Sequence, residues 1–204
     1  MIYQEDNRKK EILDATELLI AEKGLNNVST TDIAAKVGIA RGTLYHYFPN
    51  KEMIIDQLVQ RTSNNIFAEA RSIAEKKEIS ILDRLALTVK ALNVSSDSGK
   101  ALVAHLNSKD NIILHNKVEK EMMENIPQIF TIIIKDGIRE GIFKSDYPYE
   151  TMELIISYVI GVIDGNLVEL DQEEQVKRII ALLSNLELML NTEKGLLLQY
   201  YGFN

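Results

Sequence analysis

The sequence predicts an all-α protein, and three observations support this fold class. Only three prolines and ten glycines occur in 204 residues, so few positions would end a helix. Apolar residues recur every three or four positions over most of the chain. No segment of useful length shows the apolar–polar alternation of a strand. A chain of this length forms one large domain or two small ones.

Four helices are predicted in the first eighty residues. The segment RKKEILDATELLIAEK has apolar residues at helical spacing and is followed by Gly24, a typical C-terminal stop. The segment VSTTDIAAKVG starts with serine and threonine caps and ends at Gly38, and ARGTLYHYF ends before Pro49. Asn50 then caps a long helix that begins KEMIIDQLVQ. The two middle helices are unusually short.

The rest of the chain is predicted to contain longer helices. SILDRLALTVKALNV is a helix, and the polar run 95–100 is the clearest loop signal in this part. Residues 101–143 are helical again, with a start or a kink at Pro127 and an end near Gly141. The loop KSDYPYE precedes two terminal helices of about twenty residues, ETMELIISYVIGVIDGNLVEL and DQEEQVKRIIALLSNLELMLN, each roughly 30 Å long.

Composition and motifs exclude several classes of protein. The absence of cysteine excludes disulfides, thiolate metal sites and cysteine nucleophiles. No signal peptide pattern opens the chain and no apolar run has the length of a membrane span, so we expect a cytoplasmic protein that does not contact a membrane. No phosphate loop, HExxH or Gly-x-Ser-x-Gly motif occurs, and the three histidines have no recognisable partners. The sequence therefore predicts no enzyme, no metal site and no cofactor.

The two short helices have the spacing of a helix-turn-helix motif. Counted from Thr30, the fifth position is the small Ala34, where the two helices would cross most closely. The ninth is Gly38, which suits the positive φ of the turn. Apolar residues that would pack between the helices occupy the fourth, eighth, tenth and fifteenth positions: Ile33, Val37, Ile39 and Leu44. In this motif the N-terminal residues of the second helix face a DNA major groove.

The charge distribution permits this interpretation although the formal net charge is −7. Residues 23–51 carry four bases against one acid, a local charge of +3. Phosphate attraction acts over about 8–10 Å, so a basic segment on an acidic body is able to bind DNA. The alternative is an ordinary helical hairpin. That alternative does not explain why the second helix would expose Arg41, Thr43, Tyr45 and Tyr47 with no acid among residues 33–51.

Residues 8–60 resemble the DNA-binding region of TetR-family transcriptional regulators. The resemblance is carried by a first helix that ends EKG and by the segment TTDIAAKVGIARGTLYHYFPNKE. The later segment DGIREGIF with two long helices resembles the family's regulatory half more weakly. The resemblance implies a three-helix helix-turn-helix DNA-binding domain over residues 1–52. A long helix would join it to an α-helical effector-binding and dimerisation domain over residues 53–204.

The resemblance also implies which residues contact DNA. Thr30 would contact phosphate and Thr31 would point toward the groove, while Arg41, Gly42 and Thr43 would meet base edges. An arginine is able to contact guanine bidentately, which gives about 1–3 kcal/mol of discrimination. The polar tips of Tyr45 and Tyr47 would hold phosphates, and His46 matches a position that reaches DNA in some relatives. Lys51 would bind phosphate together with a helix N-terminus, and Phe48 would fill the small core.

A short recognition helix contacts few bases, so we expect a homodimer that reads two half-sites about 34–36 Å apart, or a multiple of this. The two terminal helices carry wide apolar faces that would form a four-helix interface, although the same faces could serve the chain's own core. The predicted interface residues are Ile156, Val159, Ile160, Ile163, Ile179, Leu183, Leu186 and Leu190.

The middle helices would enclose an effector site that is largely apolar. Ordinary core packing explains the same residues without a ligand. The candidate lining residues are Phe67, Leu85, Leu92, Leu102, His105, Leu106, Met122, Phe130 and Ile134.

The sequence as a whole predicts a ligand-responsive repressor that binds a near-palindromic, double-stranded DNA operator. An effector would release DNA only through different affinities for the two states of the protein. Two alternatives stay open at this point. The first is a TetR-like activator or nucleoid- or division-associated factor without an effector, and the second is an all-α protein-interaction module.

Overall fold

The computed structural model describes residues 2–93, 99, 101–102, 112–163 and 170–203, with side chains from residue 6 onward. Within these ranges the structure consists of helices, turns and loops without a strand, which confirms the predicted all-α class. The chain divides into two compact units, residues 1–66 with 93–118 and residues 67–92 with 119–204. This division falls within a long helix after residue 66, and the functional boundary at residue 52 stays a prediction.

The four helices predicted for the N-terminal region are all present. They are α1 (Ile2–Lys23), α2 (Thr30–Val37), α3 (Arg41–Tyr47) and α4 (Lys51–Ala74), with a short 3₁₀ turn at Leu25–Asn27. Helix α1 ends at Gly24, whose φ of 79° is a positive value that glycine tolerates best. The Gly24 N–H donates to the Ile20 carbonyl at 2.9 Å, which satisfies one of the last carbonyls of the helix.

Each of these four helices contributes a fully buried side chain to the core of the first unit. Ile12 of α1, Ile33 of α2, Leu44 of α3 and Leu58 of α4 have no measurable exposure. Helix α1 packs on α2, and α2 packs on α3. The two short helices are therefore held by burial of their inner faces rather than by their own length, since isolated helices this short are unstable in water.

A guanidinium fork links α1 to α4 at the surface of the first unit. Arg61 Nη1 donates to Asp14 Oδ1 at 2.5 Å, and Nη2 donates to Glu17 Oε2 at 2.9 Å. The two acids lie one turn apart on α1, so one arginine engages both. This contact fixes the first helix of the unit against the helix that continues into the second unit.

The second unit contains the end of α4 and the helices that follow it. They are α5 (Ile81–Leu92), the C-terminal part of α6 (Ile112–Arg139), α7 (Pro148–Tyr158), α8 (Gln172–Met189) and α9 (Leu196–Tyr200), with a π-helical turn at Val159–Ile163 directly after α7. The loop predicted at 95–100 lies outside the described residues except for Gly99, as does the segment 164–169.

One expectation for this unit is corrected by the structure, and one helix was missed. A helix start at Pro127 is wrong, because α6 runs through this proline from residue 112 to residue 139. The short helix α9 was not predicted. It begins where the buried Glu187 carboxylate accepts hydrogen bonds from the N–H groups of Gly195 and Leu197, both at 2.8 Å. A five-residue helix that depends on a distant carboxylate leaves little periodic signal in the sequence.

A tight reversal follows α6. The N–H groups of Ile142 and Phe143 both donate to the Gly137 carbonyl, at 2.9 and 3.2 Å, and Gly141 has a φ of 77°. The Phe143 ring then lies against Gly137, so that a Cβ at this glycine would be only 2.7 Å from Phe143 Cε2. This places the end of the helix near Gly141, as predicted.

None of the described helices is long and apolar enough to cross a membrane.

Candidate nucleic-acid interface

Helix α2 begins with a reciprocal cap that fixes its first turn. The Asp32 N–H donates to Ser29 Oγ at 3.2 Å, and the Ser29 N–H donates to Asp32 Oδ2 at 2.8 Å. This is a capping box, which satisfies two backbone donors that a helix start would otherwise leave unpaired. Lys23 of α1 pairs with the same carboxylate at 2.8 Å. The Lys23 ammonium and the Ser29 hydrogen bonds hold the pKa of Asp32 far below its usual range.

The turn between α2 and α3 has the geometry that the sequence predicts. Gly38 adopts φ 74° and ψ 34°, and the Ile39 N–H donates to the Ala34 carbonyl at 3.0 Å. Ile33 and Ala34 are buried, while Val37 and Ile39 are half-buried. The helix-turn-helix spacing is therefore realised, with the small residue inside and the glycine at the left-handed position.

Helix α3 separates an inner face from an outer face. Leu44 and Phe48 are buried, as predicted. The outer residues comprise five exposed positions and one half-buried position, namely Arg41, Gly42, Thr43, Tyr45 and His46 with Tyr47 half-buried. Thr31 at the start of α2 is also exposed, and Thr30 is half-buried. The residues predicted to contact DNA thus lie on the side of the motif that its own core does not use.

Gly42 has no packing role within the described part of the chain. A Cβ added there would have no heavy atom within 4 Å, and the residue lies inside a helix without the positive φ that requires glycine. Glycine in a helix is less stable than alanine by roughly 0.5–1 kcal/mol. A small residue at an exposed helical position is what close approach of an external partner would require.

Tyr45 joins the two helices of the motif through its hydroxyl. The Oη atom lies 3.3 Å from Thr30 Oγ1 of α2 and 3.4 Å from Arg41 Nη2 of α3. The Arg41 guanidinium carbon is also 6.0 Å from the centre of the Tyr45 ring, at the outer range of a cation–π contact. The hydrogen bond with Thr30 first and the one with Arg41 second lower the pKa of Tyr45.

Lys51 and the neighbouring aromatics occupy the end of the motif. Lys51 Nζ donates to the Leu25 carbonyl at 3.0 Å, and Asn50 Oδ1 caps α4 by accepting from the Met53 N–H at 2.8 Å. The ammonium is thus tied to a backbone carbonyl, a contact that the sequence did not predict. His46 and Tyr47 pack edge to face with ring centres 5.5 Å apart.

Ion pairs reduce the effective positive charge of the motif. Lys23 pairs with Asp32, and Lys36 pairs with Glu22 at 2.8 Å. Within the described residues, Arg41 and Lys51 make no ion pair with an acid. The positive charge that these ion pairs leave is carried by Arg41 and Lys51, at the two ends of the stretch from α3 to the start of α4.

The predicted effector residues fall into three groups. Phe67, Leu85, Phe130 and Ile134 are buried in the apolar core of the second unit, and Leu92 and Met122 pack against that core. Leu102 is buried and belongs to the first unit. His105 and Leu106 lie outside the described residues.

Sequence reasoning missed a polar group in the core of the second unit. Arg84 and Thr88 lie one turn apart on the inner face of α5, and both are buried. Arg84 pairs with the buried Asp136 of α6, whereas Thr88 Oγ1 has no hydrogen-bond partner in the described part of the chain. Burial lowers the pKa of Arg84, while the charges of Glu140 and Glu78 act in the opposite direction. Two polar residues four apart within the apolar pattern of α5 were the available signal.

The predicted dimer residues are also divided by burial. Ile156, Ile160 and Leu190 are buried in the second unit's own core, which leaves them little surface for a partner. The other five predicted residues are half-buried, namely Val159, Ile163, Ile179, Leu183 and Leu186. Leu188 of α8 and Leu154 of α7, which the sequence did not single out, are 77% and 63% exposed.

Two family models match the chain. The model described as bacterial regulatory proteins, tetR family, matches residues 12–58. The model described as the tetracyclin repressor-like C-terminal domain matches residues 93–184. The first match contains the whole helix-turn-helix motif, and the two together span more than half of the chain.

Individual relatives are similar over most of their length. The fatty acid metabolism regulator protein of Bacillus subtilis (strain 168) is 28% identical over 185 residues, which cover 89% of this chain and 93% of the relative. The HTH-type transcriptional repressor KstR2 of Rhodococcus jostii (strain RHA1) is 26% identical, with 70% and 71% covered. The nucleoid occlusion factor SlmA of Aliivibrio fischeri (strain MJ11) is 25% identical, with 78% and 82% covered.

A solved structure shares the fold. The transcriptional regulator from Cytophaga hutchinsonii ATCC 33406 gives a TM-score of 0.66 at 22% identity, covering 88% of this chain and 95% of that one.

Proposed function

Because this chain belongs to the TetR family and is a DNA-binding transcriptional regulator, we propose that it is a repressor released from its operator by a small, largely apolar effector. The observation that carries the proposal is the outer face of α3. This face presents Arg41, Gly42 and Thr43 to solvent, while Leu44 fixes the helix from inside. An arginine beside a bare glycine backbone is suited to a base edge in a major groove.

The repressor acts as a homodimer in this proposal. One short helix reads few base pairs, so affinity requires two half-sites. The support is the apolar surface of α7 and α8, where Leu154 and Leu188 are mostly exposed and Val176 and Ile180 lie one turn apart, 41% and 37% exposed. Exposed apolar side chains of this number on adjacent elements are typical of an interaction surface.

The effector binds among the helices of the second unit in this proposal. The support is a largely apolar core that contains the polar pair Arg84 and Thr88 on one helix. Binding sites for small molecules combine apolar walls with a few polar groups that orient the ligand. The relative named as a fatty acid metabolism regulator makes fatty acids the first compounds to test.

DNA binding is tested by selecting bound duplexes from a random pool with the purified full-length chain. We expect enrichment of a near-palindrome whose half-sites are centred 34–36 Å apart, or a multiple of this. Arg41→Ala should lower affinity for the selected duplex but not for a scrambled one. Recovery of no preferred sequence would contradict the proposal.

Effector response is tested with the selected duplex and the compounds named above. A true effector lowers duplex affinity and, by linkage, binds less tightly in the presence of DNA. A compound that raises thermal stability without changing duplex affinity would not be an effector. Sedimentation at micromolar concentration tests the dimer, with Ile180→Glu expected to give monomers and the exposed Glu173→Lys as its charge-changing control.

The first alternative is a TetR-like activator or a nucleoid- or division-associated factor without an effector, and one relative is named as a nucleoid occlusion factor. The effector experiment separates the proposal from this alternative, because a factor without an effector would keep the same affinity for the duplex in the presence of every compound tested. Relatives named as a repressor and as a metabolism regulator support the repressor proposal.

A further inference from the structure

Arg41, Tyr45 and Thr30 form a hydrogen-bonded chain on the outer face of the helix-turn-helix. Arg41 Nη2 donates to Tyr45 Oη at 3.4 Å, and Tyr45 Oη and Thr30 Oγ1 are 3.3 Å apart. Both distances are at the long end for hydrogen bonds, so the chain orients these side chains without locking them. All three residues were expected to contact DNA individually, and the structure shows that their side chains also contact one another.

The hydrogen-bond donors and acceptors of these side chains limit how the Tyr45 hydroxyl can be paired. A guanidinium has donors and no acceptor, so the Tyr45 oxygen accepts from Arg41 and its hydrogen is available to Thr30. The phenol also offers its ring to the same guanidinium, whose carbon is 6.0 Å from the ring centre. Tyr45 therefore contacts Arg41 through two parts of its side chain and is anchored on α2 by Thr30.

We propose that Tyr45 is a positioning residue that orients Arg41 for reading a base pair, rather than a phosphate anchor in its own right. The inference rests on the proposed function, in which α3 reads an operator. Arg41 and Tyr45 lie four residues apart on α3, so their side chains share one face of the helix. Arg41 has five N–H donors, and the contact with Tyr45 uses one, which leaves a pair for a bidentate contact with guanine.

Pre-orientation of Arg41 changes specificity more than general affinity. A free arginine loses rotamer freedom when it forms a bidentate contact, and a side chain that is already oriented loses less. The smaller loss of side-chain entropy is equivalent to about 2- to 10-fold in affinity. It applies only to duplexes on which Arg41 makes that contact, so mismatched duplexes gain nothing from it.

The test compares Tyr45→Phe with the wild-type chain on duplexes selected by the wild type. Each base pair of one half-site is replaced in turn, and the affinity of each duplex is measured by fluorescence anisotropy. Arg41→Ala identifies the base pair that Arg41 reads, as the position where preference falls by about 5- to 150-fold. We expect Tyr45→Phe to lower preference at that same position by about 2- to 10-fold and to leave the others unchanged.

The double variant supplies the decisive comparison. If Tyr45 acts through Arg41, adding Tyr45→Phe to Arg41→Ala leaves the preference at that position unchanged. If Tyr45→Phe instead lowers affinity equally for all duplexes, with or without Arg41, then Tyr45 is a phosphate contact and the inference is overturned. An Arg41→Ala variant with unchanged preferences would overturn it as well.

Two tyrosine controls separate the effect from loss of a hydroxyl in general. Tyr47→Phe removes the neighbouring hydroxyl, and we expect no change in preference at the Arg41 position. Tyr147→Phe alters an exposed tyrosine in the second unit and should match the wild type throughout. If the wild-type chain selects no sequence at all, the proposed function itself fails, which is a different result from a wild-type operator that Tyr45→Phe reads normally.

Discussion

Arg84 and Asp136 form an ion pair inside the second unit, with Nη2 and Oδ2 2.8 Å apart and side chains only 1% and 7% exposed. Arg84 also donates to the Ala74 carbonyl, and Arg139 approaches the other oxygen of Asp136. The pair therefore joins α5 to α6 through two buried charges, and the Arg84 guanidinium also holds the end of α4 through a backbone carbonyl. Such a pair stabilises a fold only while both partners are present.

Removing one partner of this pair should be strongly destabilising. We expect Asp136→Ala to lower the free energy of unfolding by about 3–5 kcal/mol, because it leaves the Arg84 charge buried without its partner. The double change Arg84→Met with Asp136→Leu should lower the free energy of unfolding much less, because it leaves no unpaired buried charge. Urea denaturation of the three proteins measures the difference, with the exposed Asp146→Ala as control. Equal losses in the single and double variants would contradict this account.

Gly42→Ala should separate stability from DNA binding. The added methyl meets no atom of the chain and improves helix propensity, so we expect the free energy of unfolding to rise by about 0.5 kcal/mol. The same methyl should hinder approach of α3 to DNA and lower operator affinity at least severalfold. Thermal unfolding and anisotropy on one preparation give both values. A stable variant with unchanged affinity would remove Gly42 from the interface.

Asp32 should make the stability of the first unit depend on acid pH. Its pKa is lowered in the folded chain, so the unfolded chain binds the proton more tightly and the stabilisation is present above about pH 4. As pH falls below this value toward the folded pKa, the stabilisation is lost. The difference in unfolding free energy between the wild type and Asp32→Asn should therefore narrow between pH 5 and pH 2. The same series with the exposed Glu75→Gln serves as control, and a constant difference would contradict the prediction.

Lys51 could either bind a DNA phosphate or only hold the Leu25 carbonyl, and the salt dependence of DNA affinity distinguishes these two roles. If its ammonium contacts a phosphate, Lys51→Met should lower the slope of log affinity against log salt by about 0.9 per protomer, with equal losses on all duplexes. If it only tethers the Leu25 carbonyl, the variant should lose thermal stability and keep the slope. The exposed Lys177→Met, in the second unit, controls for a general change in charge.

Gly137→Ala should destabilise the second unit through a steric clash. The new Cβ would be 2.7 Å from Phe143 Cε2 and 3.3 Å from Ile81 Cγ2, and overpacking of this kind costs about 1–3 kcal/mol. The better helix propensity of alanine offsets part of this cost. Phe143→Leu in the same chain should recover most of the loss in urea denaturation. Additive losses in the double variant would show that the ring is not the cause.

The sequence by itself determined the helix-turn-helix and its inner face. Ala34, Gly38 and Leu44 are close in sequence, and their requirements of size, positive φ and burial are local, so their spacing was sufficient. The all-α class followed in the same way from periodicity. The exposed outer face could then be predicted as well, because it consists of the positions of the motif that do not enter the core.

Only the tertiary structure decided what the outer side chains contact. Tyr45 reaches Thr30 across fifteen positions, Lys51 reaches the Leu25 carbonyl across twenty-six, and Arg84 reaches Asp136 across fifty-two. Helical periodicity gives the direction of a side chain from its own axis, but it does not give the position of another helix. These contacts depend on how the helices pack, and for this reason the structure, and not the sequence, revealed Thr30 as a partner of Tyr45.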